Sequence, residues 1–488
     1  MTITKFTFSH PFDDDKLKEE CGVFGVIGMS DAANFVALGL HALQHRGQEA
    51  GGIVAYDATG GFNSARRFGY VRDNFTSKSL MSTLPGALSI GHVRYSTAGS
   101  KHAAIRDVQP FFGEFSMGGA AIAHNGNITN AEALRRELIE RGSIFQSSSD
   151  TECIIHLMAR SLQQNIPERM EDALRRVEGA FSIVAMTDQK LIGVRDPMGM
   201  RPLVLGRLGD GWALSSETCA LDIIGAEFIR EVSPGEMVVI SEKGLESHFP
   251  FRKRASKFCI FEHVYFSRPD SIVSGRSVYE TRRQIGVELA KESPVEADLV
   301  CPVPDSGTPA AIGFSQHSGI PYAMGIIRNQ YMGRTFIEPT DQIRNMGVRL
   351  KLNVNRSLIE GKRVILVDDS VVRGTTSRKI KDMVLDAGAK EVHFRIASPP
   401  TAWPCFYGVD TPEREKLLAA TMSEEDMRQH LSVNSLKFIS LDGLYRAVGE
   451  AEGRDKECPQ YCDACFSGQY PIAPSDMLNK GFRLEAAQ

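Results

Sequence analysis

The strongest constraint on the fold is the run Val364-Ile365-Leu366-Val367, followed at once by Asp368-Asp369-Ser370-Val371-Val372-Arg373-Gly374-Thr375-Thr376-Ser377. Four consecutive aliphatic residues, mostly β-branched, predict a strand buried on both faces, the habit of parallel sheets. Two carboxylates fall at its carboxyl end, where open α/β sheets hold their ligands. The loop after them is small and hydroxylated, and Gly374 is free to take a positive φ. Ile380, Met383, Val384 and Ala387 then recur at helical spacing, and Gly388 closes the helix. Backbone amides and hydroxyls of 373–377 are therefore expected at a helix N-terminus, a cradle for phosphate.

This stretch lacks the Gly-Lys-Ser/Thr ending of a P-loop and the triple glycine of a dinucleotide fold. Adjacent carboxylates suit vicinal ribose hydroxyls plus a divalent metal, with phosphate held just beyond. An Asp-Asp pair alone is more often an acidic turn. The whole string resembles the signature of type I phosphoribosyltransferases, which bind phosphoribosyl pyrophosphate (PRPP).

The chain's 488 residues leave room for two or three domains. With 42% apolar and 24% charged residues it has a soluble globular composition. A net charge of −4 speaks against nucleic-acid binding, so anionic ligands must meet local basic clusters. No apolar run approaches the roughly 18 residues needed to span a bilayer, and no membrane is expected. Asp13-Asp14-Asp15 and Glu19-Glu20, without an apolar core, exclude a secretory signal. Nine scattered cysteines fit a reducing, cytoplasmic setting in which thiols are nucleophiles or metal ligands.

In the first half, Cys21-Gly22-Val23-Phe24-Gly25-Val26-Ile27-Gly28 reads as a glycine-rich strand. A helix carrying Val36, Leu40 and Leu43 follows, ending at His45-Arg46-Gly47-Gln48, and Gly51–Tyr56 is a second strand. Alone, Cys21 is a packed strand cysteine. Arg94, after a short strand, suits a bidentate grip on a carboxylate. Asn125-Gly126 offers a side-chain amide and an adjacent N–H, the two donors an oxyanion hole needs. Asp150 precedes a helix carrying Ile154, Ile155 and Met158. Each has an ordinary alternative: surface charge, turn, N-cap. Together they resemble the glutaminase domain of class II amidotransferases, of the N-terminal-nucleophile (αββα) fold. That resemblance implies that Cys21 attacks the glutamine amide, Arg94 and Asp150 hold the α-carboxylate and α-ammonium, and Asn125 with Gly126 stabilises the oxyanion. A terminal cysteine can use its own α-amine as general base, with a reference pKa of about 8. Residues 1–20 are accordingly expected to be a propeptide, removed between Glu20 and Cys21.

After about residue 250, strands and helices alternate. Asp298–Val303 reads as a strand running into Pro304-Asp305-Ser306-Gly307-Thr308-Pro309-Ala310, a second small-residue loop for pyrophosphate or its metal. From Arg328 to Lys351, arginines at 328, 334, 344 and 349 alternate with Gly333 and Gly347. Beside a phosphate site such a stretch reads as a hinged lid, excluding water that would trap an oxocarbenium-like centre. The ordered motifs Cys21-Gly-Val-Phe-Gly, His45-Arg-Gly-Gln, Phe261-Glu-His-Val-Tyr-Phe-Ser-Arg-Pro-Asp270, Pro304-Asp-Ser-Gly-Thr, Gly333-Arg-Thr-Phe-Ile337 and 364–377 resemble the amidophosphoribosyltransferase family from Cys21 to about Pro474. The resemblance implies glutamine and PRPP as substrates, one Mg²⁺ per subunit held at Ser306, Asp368 and Asp369, and the 5′-phosphate loop at Arg373, Gly374, Thr375, Thr376 and Ser377. It also places Tyr265 and Ile337 near an ammonia passage. Homo-oligomers, commonly tetramers, inhibited by purine nucleotides, are implied as well.

Cys462-Asp-Ala-Cys465 is a C-x-x-C pair, and with Cys259 and Cys405 it could hold either zinc or an iron–sulfur cluster. The subgroup that resembles this chain around Phe258–Phe261, Cys405-Phe-Tyr-Gly and Cys462–Gly468 carries a propeptide and one [4Fe–4S] cluster, which implies the cluster here. It would serve as a structural clip; Cys458 is a bystander or a competing ligand. The domains expected are a propeptide (1–20), an α+β glutaminase (21–250), an α/β type I phosphoribosyltransferase (251–450) and a cluster-bearing tail (451–488). The rival is a PRPP-sensing regulator that kept the fold without the chemistry.

Overall fold

The structure, a computed structural model, describes residues 18–19, 21–95, 104–329 and 351–479. Ile337, most of the arginine-rich stretch after Arg328, and the expected leader apart from Lys18–Glu19 lie outside them. The chain forms two compact units. One holds residues 18–278, 404–411 and 456–479; the other holds 279–403 and 412–455. Residues 251–278 and 404–411, which the sequence assigns to the phosphoribosyltransferase, and 456–479 of the expected C-terminal tail thus belong to the same unit as the first half.

The larger unit is a four-layer αββα sandwich. Its first sheet runs Glu227–Glu231, Val204–Leu208, Gly211–Ser215, Cys21–Ile27, Leu88–Arg94, Ala50–Asp57, Gly61–Phe68, with every neighbour antiparallel. The second runs Gly244–His248, Met237–Ser241, Leu191–Arg195, Gly179–Met186, Gly118–Ile128, Phe111–Phe115, also antiparallel. Between the sheets lies a dry core of Val23, Ile90, Ala123, Val184, Leu214 and Val238, among others. Helix Ala32–Ala42 covers the outer face of the first sheet through Val36, Leu40 and Leu43. Helices Ala131–Glu140, Thr151–Arg160 and Ile166–Leu174 cover the second through Leu134, Ile154 and Met170. Burial on both faces explains why Cys21–Ile27 reads as nearly continuous apolar sequence rather than alternating.

The smaller unit is an α/β fold around four parallel strands in the order Leu299–Pro302, Arg363–Asp368, Glu391–Ile396, Ser435–Phe438. The aliphatic run 364–367 is fully buried at its centre, as a doubly covered parallel strand requires. Helix Thr375–Asp386 follows, packing Ile380 and Val384 into the core. No helix among the described residues is long and apolar enough to cross a membrane.

Candidate functional site

In the larger unit Cys21 opens its strand, opposite Arg94 in register. Both strands pack against Gly118–Ile128, which carries Asn125 and Gly126. His92, two residues before Arg94, places Nε2 3.2 Å from the His124 carbonyl, so Cys21, Arg94 and the Asn125-Gly126 pair lie towards the same end of the facing sheets. Asn125 is completely buried, and neither its amide nitrogen nor its oxygen has a hydrogen-bond partner. A buried amide normally finds partners, so an orphaned one marks a group kept for something else. Gly126 sits at φ 144°, and a side chain there would run 2.0 Å from the Ala180 carbonyl oxygen. Only glycine can bring the backbone into that position.

Arg94 Nη1 is likewise buried without a hydrogen-bond partner, while Nε stands 3.9 Å from a Glu49 carboxylate oxygen. Asp150 is the N-cap of helix Thr151–Arg160: its Oδ1 accepts the Thr151 N–H at 2.8 Å. Its Oδ2 accepts the Ile128 N–H at 2.9 Å, tying the helix to the Asn125 strand. The N-cap and the candidate site position thus coincide in one carboxylate.

Sequence reasoning missed the supports behind these residues. His124, buried beside Asn125, places Nδ1 3.0 Å from the Thr151 hydroxyl, and its backbone N–H donates to Gln109 Oε1 at 2.7 Å. Burial pushes its imidazolium down, against the pull of Asp150. His92 is pushed down to about 3 by burial, then by Arg94 and His124. His45-Arg46-Gly47-Gln48 was legible as a motif but not its use. Arg46 is fully buried between Glu217, bonded through Nε, and Glu262, whose Oε2 lies 2.7 Å from Nη2. Burial alone would raise the Glu217 carboxyl; Arg46 and His45 more than reverse it, holding it well below its usual range. Arg201 joins the same chain through Glu262 Oε1 at 3.1 Å. Only the pairing of distant charges in three dimensions reveals this network. Tyr265 is half-buried in the single π-helical turn Glu262–Phe266 that Glu262 opens.

The four singled-out cysteines all belong to this unit. Cys259 and Cys462 are register partners of a short parallel pairing, Phe258–Cys259 with Tyr461–Cys462. The N–H two residues on donates to the sulfur in three cases: Phe261 to Cys259, Tyr407 to Cys405 at 3.3 Å, and Ala464 to Cys462. Burial foremost, with the neighbouring sulfurs adding to it, raises Cys259 to about 12 and Cys462 and Cys465 well above their ordinary value. Among the described residues, no three histidine, cysteine or carboxylate side chains stand close enough together to hold an ion. Cys458 is exposed.

In the smaller unit, Asp368 and Asp369 are buried at the carboxyl edge of the sheet. Asp368 Oδ1 accepts the Asp369 N–H at 2.9 Å, and Asp369 Oδ1 accepts the Ser370 hydroxyl at 2.6 Å. The 304–310 loop reaches the same edge, since the Val303 N–H donates to the Val367 carbonyl at 2.8 Å and Gly307 packs on that carbonyl. Ser306 is half-buried there, and Asp305 receives Arg328 at 2.7 Å. Gly374, at φ 74°, caps helix Thr375–Asp386. Arg373 and Thr375 are exposed beside it, Thr376 is half-buried and Ser377 is buried in the first turn. Hydroxyls and amides at a helix start, next to paired carboxylates, can hold a phosphate and a hard cation together.

A family model described as a glutamine amidotransferase domain matches residues 92–222. The chain is 55% identical to the amidophosphoribosyltransferase of Rhizobium etli over 96% of its length and 94% of that protein's. It is 46% identical to the Bacillus subtilis amidophosphoribosyltransferase, covering 93% and 94% of the two chains. The structure of glutamine PRPP amidotransferase from B. subtilis complexed with ADP and GMP superposes with a TM-score of 0.87 at 44% identity, covering 93% of this chain and 98% of that one. Both the αββα glutaminase layers and the phosphoribosyltransferase sheet are accounted for over full length, and the chain belongs to the amidophosphoribosyltransferases, the glutamine-dependent pentosyltransferases of the first step of purine biosynthesis.

Proposed function

We propose that each of the two sites carries one half of the reaction, with the roles assigned by the chemistry of the residues. The carrying observation is the buried, unpartnered Asn125 amide beside the strand that Cys21 opens. Once the bond before Cys21 is cut, its α-amine takes the thiol proton, and Sγ attacks the side-chain carbonyl carbon of glutamine. The carbonyl electron pair moves to oxygen, where Asn125 Nδ2 and the Gly126 N–H receive it. Collapse breaks the C–N bond, the α-ammonium protonates the leaving nitrogen, and ammonia departs. Water then hydrolyses the thioester to glutamate. Arg94 and Asp150 hold the α-carboxylate and α-ammonium of the substrate. Ammonia attacks C1 of PRPP, the C1–O bond to pyrophosphate breaks, and 5-phosphoribosylamine forms. Arg373 to Ser377 hold the 5′-phosphate, and Tyr265 with Ile337 lines the route of the ammonia.

Two groups complete this reading. The oxygen donors of Ser306, Asp368 and Asp369 fit Mg²⁺, which would neutralise the departing pyrophosphate. Cys259, Cys405, Cys462 and Cys465 lie within electrostatic range of one another, and three of them accept an N–H from two residues on, the donor set a [4Fe–4S] cluster would take once the four sulfurs draw together and lose their protons. The cluster would tie residues 404–411 and the C-terminal segment to the glutaminase. Residues 1–20 act as a propeptide, the enzyme works in a reducing compartment as a homo-oligomer, and purine nucleotides inhibit it.

The test is glutamate release by anaerobically purified protein with and without PRPP and Mg²⁺. Strong stimulation, with pyrophosphate formed in about equal amount, is expected. Release indifferent to PRPP would refute the coupling, and iron-free, sulfide-free protein of full activity would refute the cluster.

A further inference from the structure

Gly126 has neighbours on both sides, and both constrain its peptide. On one side is the Ala180 carbonyl; on the other is Gly408, where a methyl group would lie 2.9 Å from Gly126 Cα and 3.0 Å from its carbonyl carbon. Gly408 itself sits at φ 101°, so neither glycine tolerates a side chain. The segment Phe406–Gly408 is held there by two devices. Asn127 Nδ2 donates to the Phe406 carbonyl at 2.9 Å, directly after the Asn125-Gly126 pair. Arg201, 1% exposed, donates Nε to the Tyr407 carbonyl at 3.0 Å and Nη2 to the Gly408 carbonyl.

Arg201 is anchored at its other end by the same sheet. Its carbonyl accepts the Ser182 hydroxyl at 3.1 Å and Arg195 Nε at 2.7 Å, and Ser182 is the register partner of Asn125. Nη1 is fixed by Glu262 at 3.1 Å. One arginine, through its backbone carbonyl at one end and its guanidinium at the other, therefore ties the strand opposite Asn125 to the segment pressed on Gly126. A glycine peptide left without such walls would rotate freely, and its N–H would lose its aim.

We propose that Phe406–Gly408, clamped by Arg201 and Asn127, positions the oxyanion donors of the glutamine site, making Asn127, Arg201 and Gly408 positioning residues of the glutaminase step; this rests on the assignment of Asn125 and Gly126 as those donors. Nothing in these residues touches the α-carboxylate or α-ammonium positions assigned to Arg94 and Asp150. Their loss acts on turnover and leaves substrate binding in place.

The experiment uses the full chain, purified anaerobically, with Gly408→Ala, Asn127→Ala and the reference variant Asn125→Ala. The probe is glutamate γ-semialdehyde. Cys21 Sγ adds to its carbonyl carbon, and the aldehyde oxygen takes the electron pair and the thiol proton, occupying the oxyanion position. Inhibition by glutamate measures binding without that adduct, and PRPP turnover with ammonia reports an intact fold. Gly408→Ala is expected to lower glutaminase kcat about 100-fold and Asn127→Ala about tenfold, with KM within about threefold. Aldehyde affinity should fall in parallel, while glutamate inhibition and ammonia-dependent turnover hold within about twofold. If Asn125→Ala weakens the aldehyde and the other two do not, the positioning role is overturned and the oxyanion assignment stands. If Asn125→Ala leaves aldehyde affinity unchanged, the oxyanion assignment itself falls, and the proposal with it. Should Gly408→Ala lose ammonia-dependent turnover through misfolding, Asn127→Ala, which deletes a single hydrogen bond, decides the matter.

Discussion

The two sites are built in opposite ways. The phosphoribosyl site is one continuous run, strand to acidic turn to helix, with 304–310 added beside it at the sheet edge. The proposed glutamine site draws Cys21, Arg94, Asn125 and Asp150 from four separate elements, with the buried groups His92 and His124 behind them and a buried ionic chain through Arg46 and Arg201 in the same unit. A contiguous site depends on local geometry, and its parts can be altered one at a time. A dispersed site depends on the whole sandwich, so its supports double as elements of global stability.

The largest effect tests whether the two chemistries separate. Cys21→Ala should cut glutamine-dependent turnover by at least about 10⁴-fold while PRPP turnover with added ammonia persists. Asp369→Asn should remove both, as coupled glutamine and ammonia assays would report. A Cys21→Ala protein that also fails with ammonia would break the comparison. Next comes the buried charge chain. Arg46→Met leaves Glu262 to Arg201 and Glu217 to His45, with the cation shared between them gone, and should cost the larger unit about 3–5 kcal/mol, read from urea unfolding. A loss below about 1 kcal/mol would show that the dispersed site does not lean on that network.

Acid sensitivity follows from His92. Its imidazolium is held at about 3 in the fold against an ordinary 6.5, so the unfolded chain binds the extra proton first as pH falls. Stability from this group is fully present above 6.5 and drains as pH drops towards 3. Between pH 7 and 5 the loss is about 2 kcal/mol. His92→Gln should flatten the pH dependence of the urea midpoint by that amount. The smallest effect belongs to the contiguous site. A methyl group on Gly374 meets Leu418 Cδ1 at 2.6 Å on a positive-φ backbone. Gly374→Ala is expected to raise the KM for PRPP about tenfold and to cost about 1 kcal/mol in unfolding. Steady-state titration of PRPP checks it, and an unchanged KM would detach Gly374 from phosphate binding.

The same contrast governs what the sequence disclosed. Val364–Ser377 was legible almost whole, because burial, turn chemistry and helix periodicity are all local properties. Leu299–Pro302 and the loop after it were legible for the same reason. Cys21, Arg94, Asn125 and Asp150 were legible as motifs through a resemblance, and the sheets set the first three towards the same end. The ionic chain through Arg46, Glu217, Glu262 and Arg201 left no local trace, since its partners lie far apart in sequence and each reads as an ordinary charge. Packing of 404–411 with the first unit was equally hidden, as a segment flanked by strands and helices of one fold reads as part of it.

That packing has a consequence for synthesis. A chain leaves the ribosome from its N-terminus, and Gly126 emerges well before Phe406–Gly408. A nascent chain holding both sheets of the sandwich still lacks the wall that lies against Gly126. Strand Glu391–Ile396, the third of the four parallel strands, is translated before that wall arrives. On the positioning role proposed for that wall, the glutamine site is completed only after three of the four parallel strands have been translated.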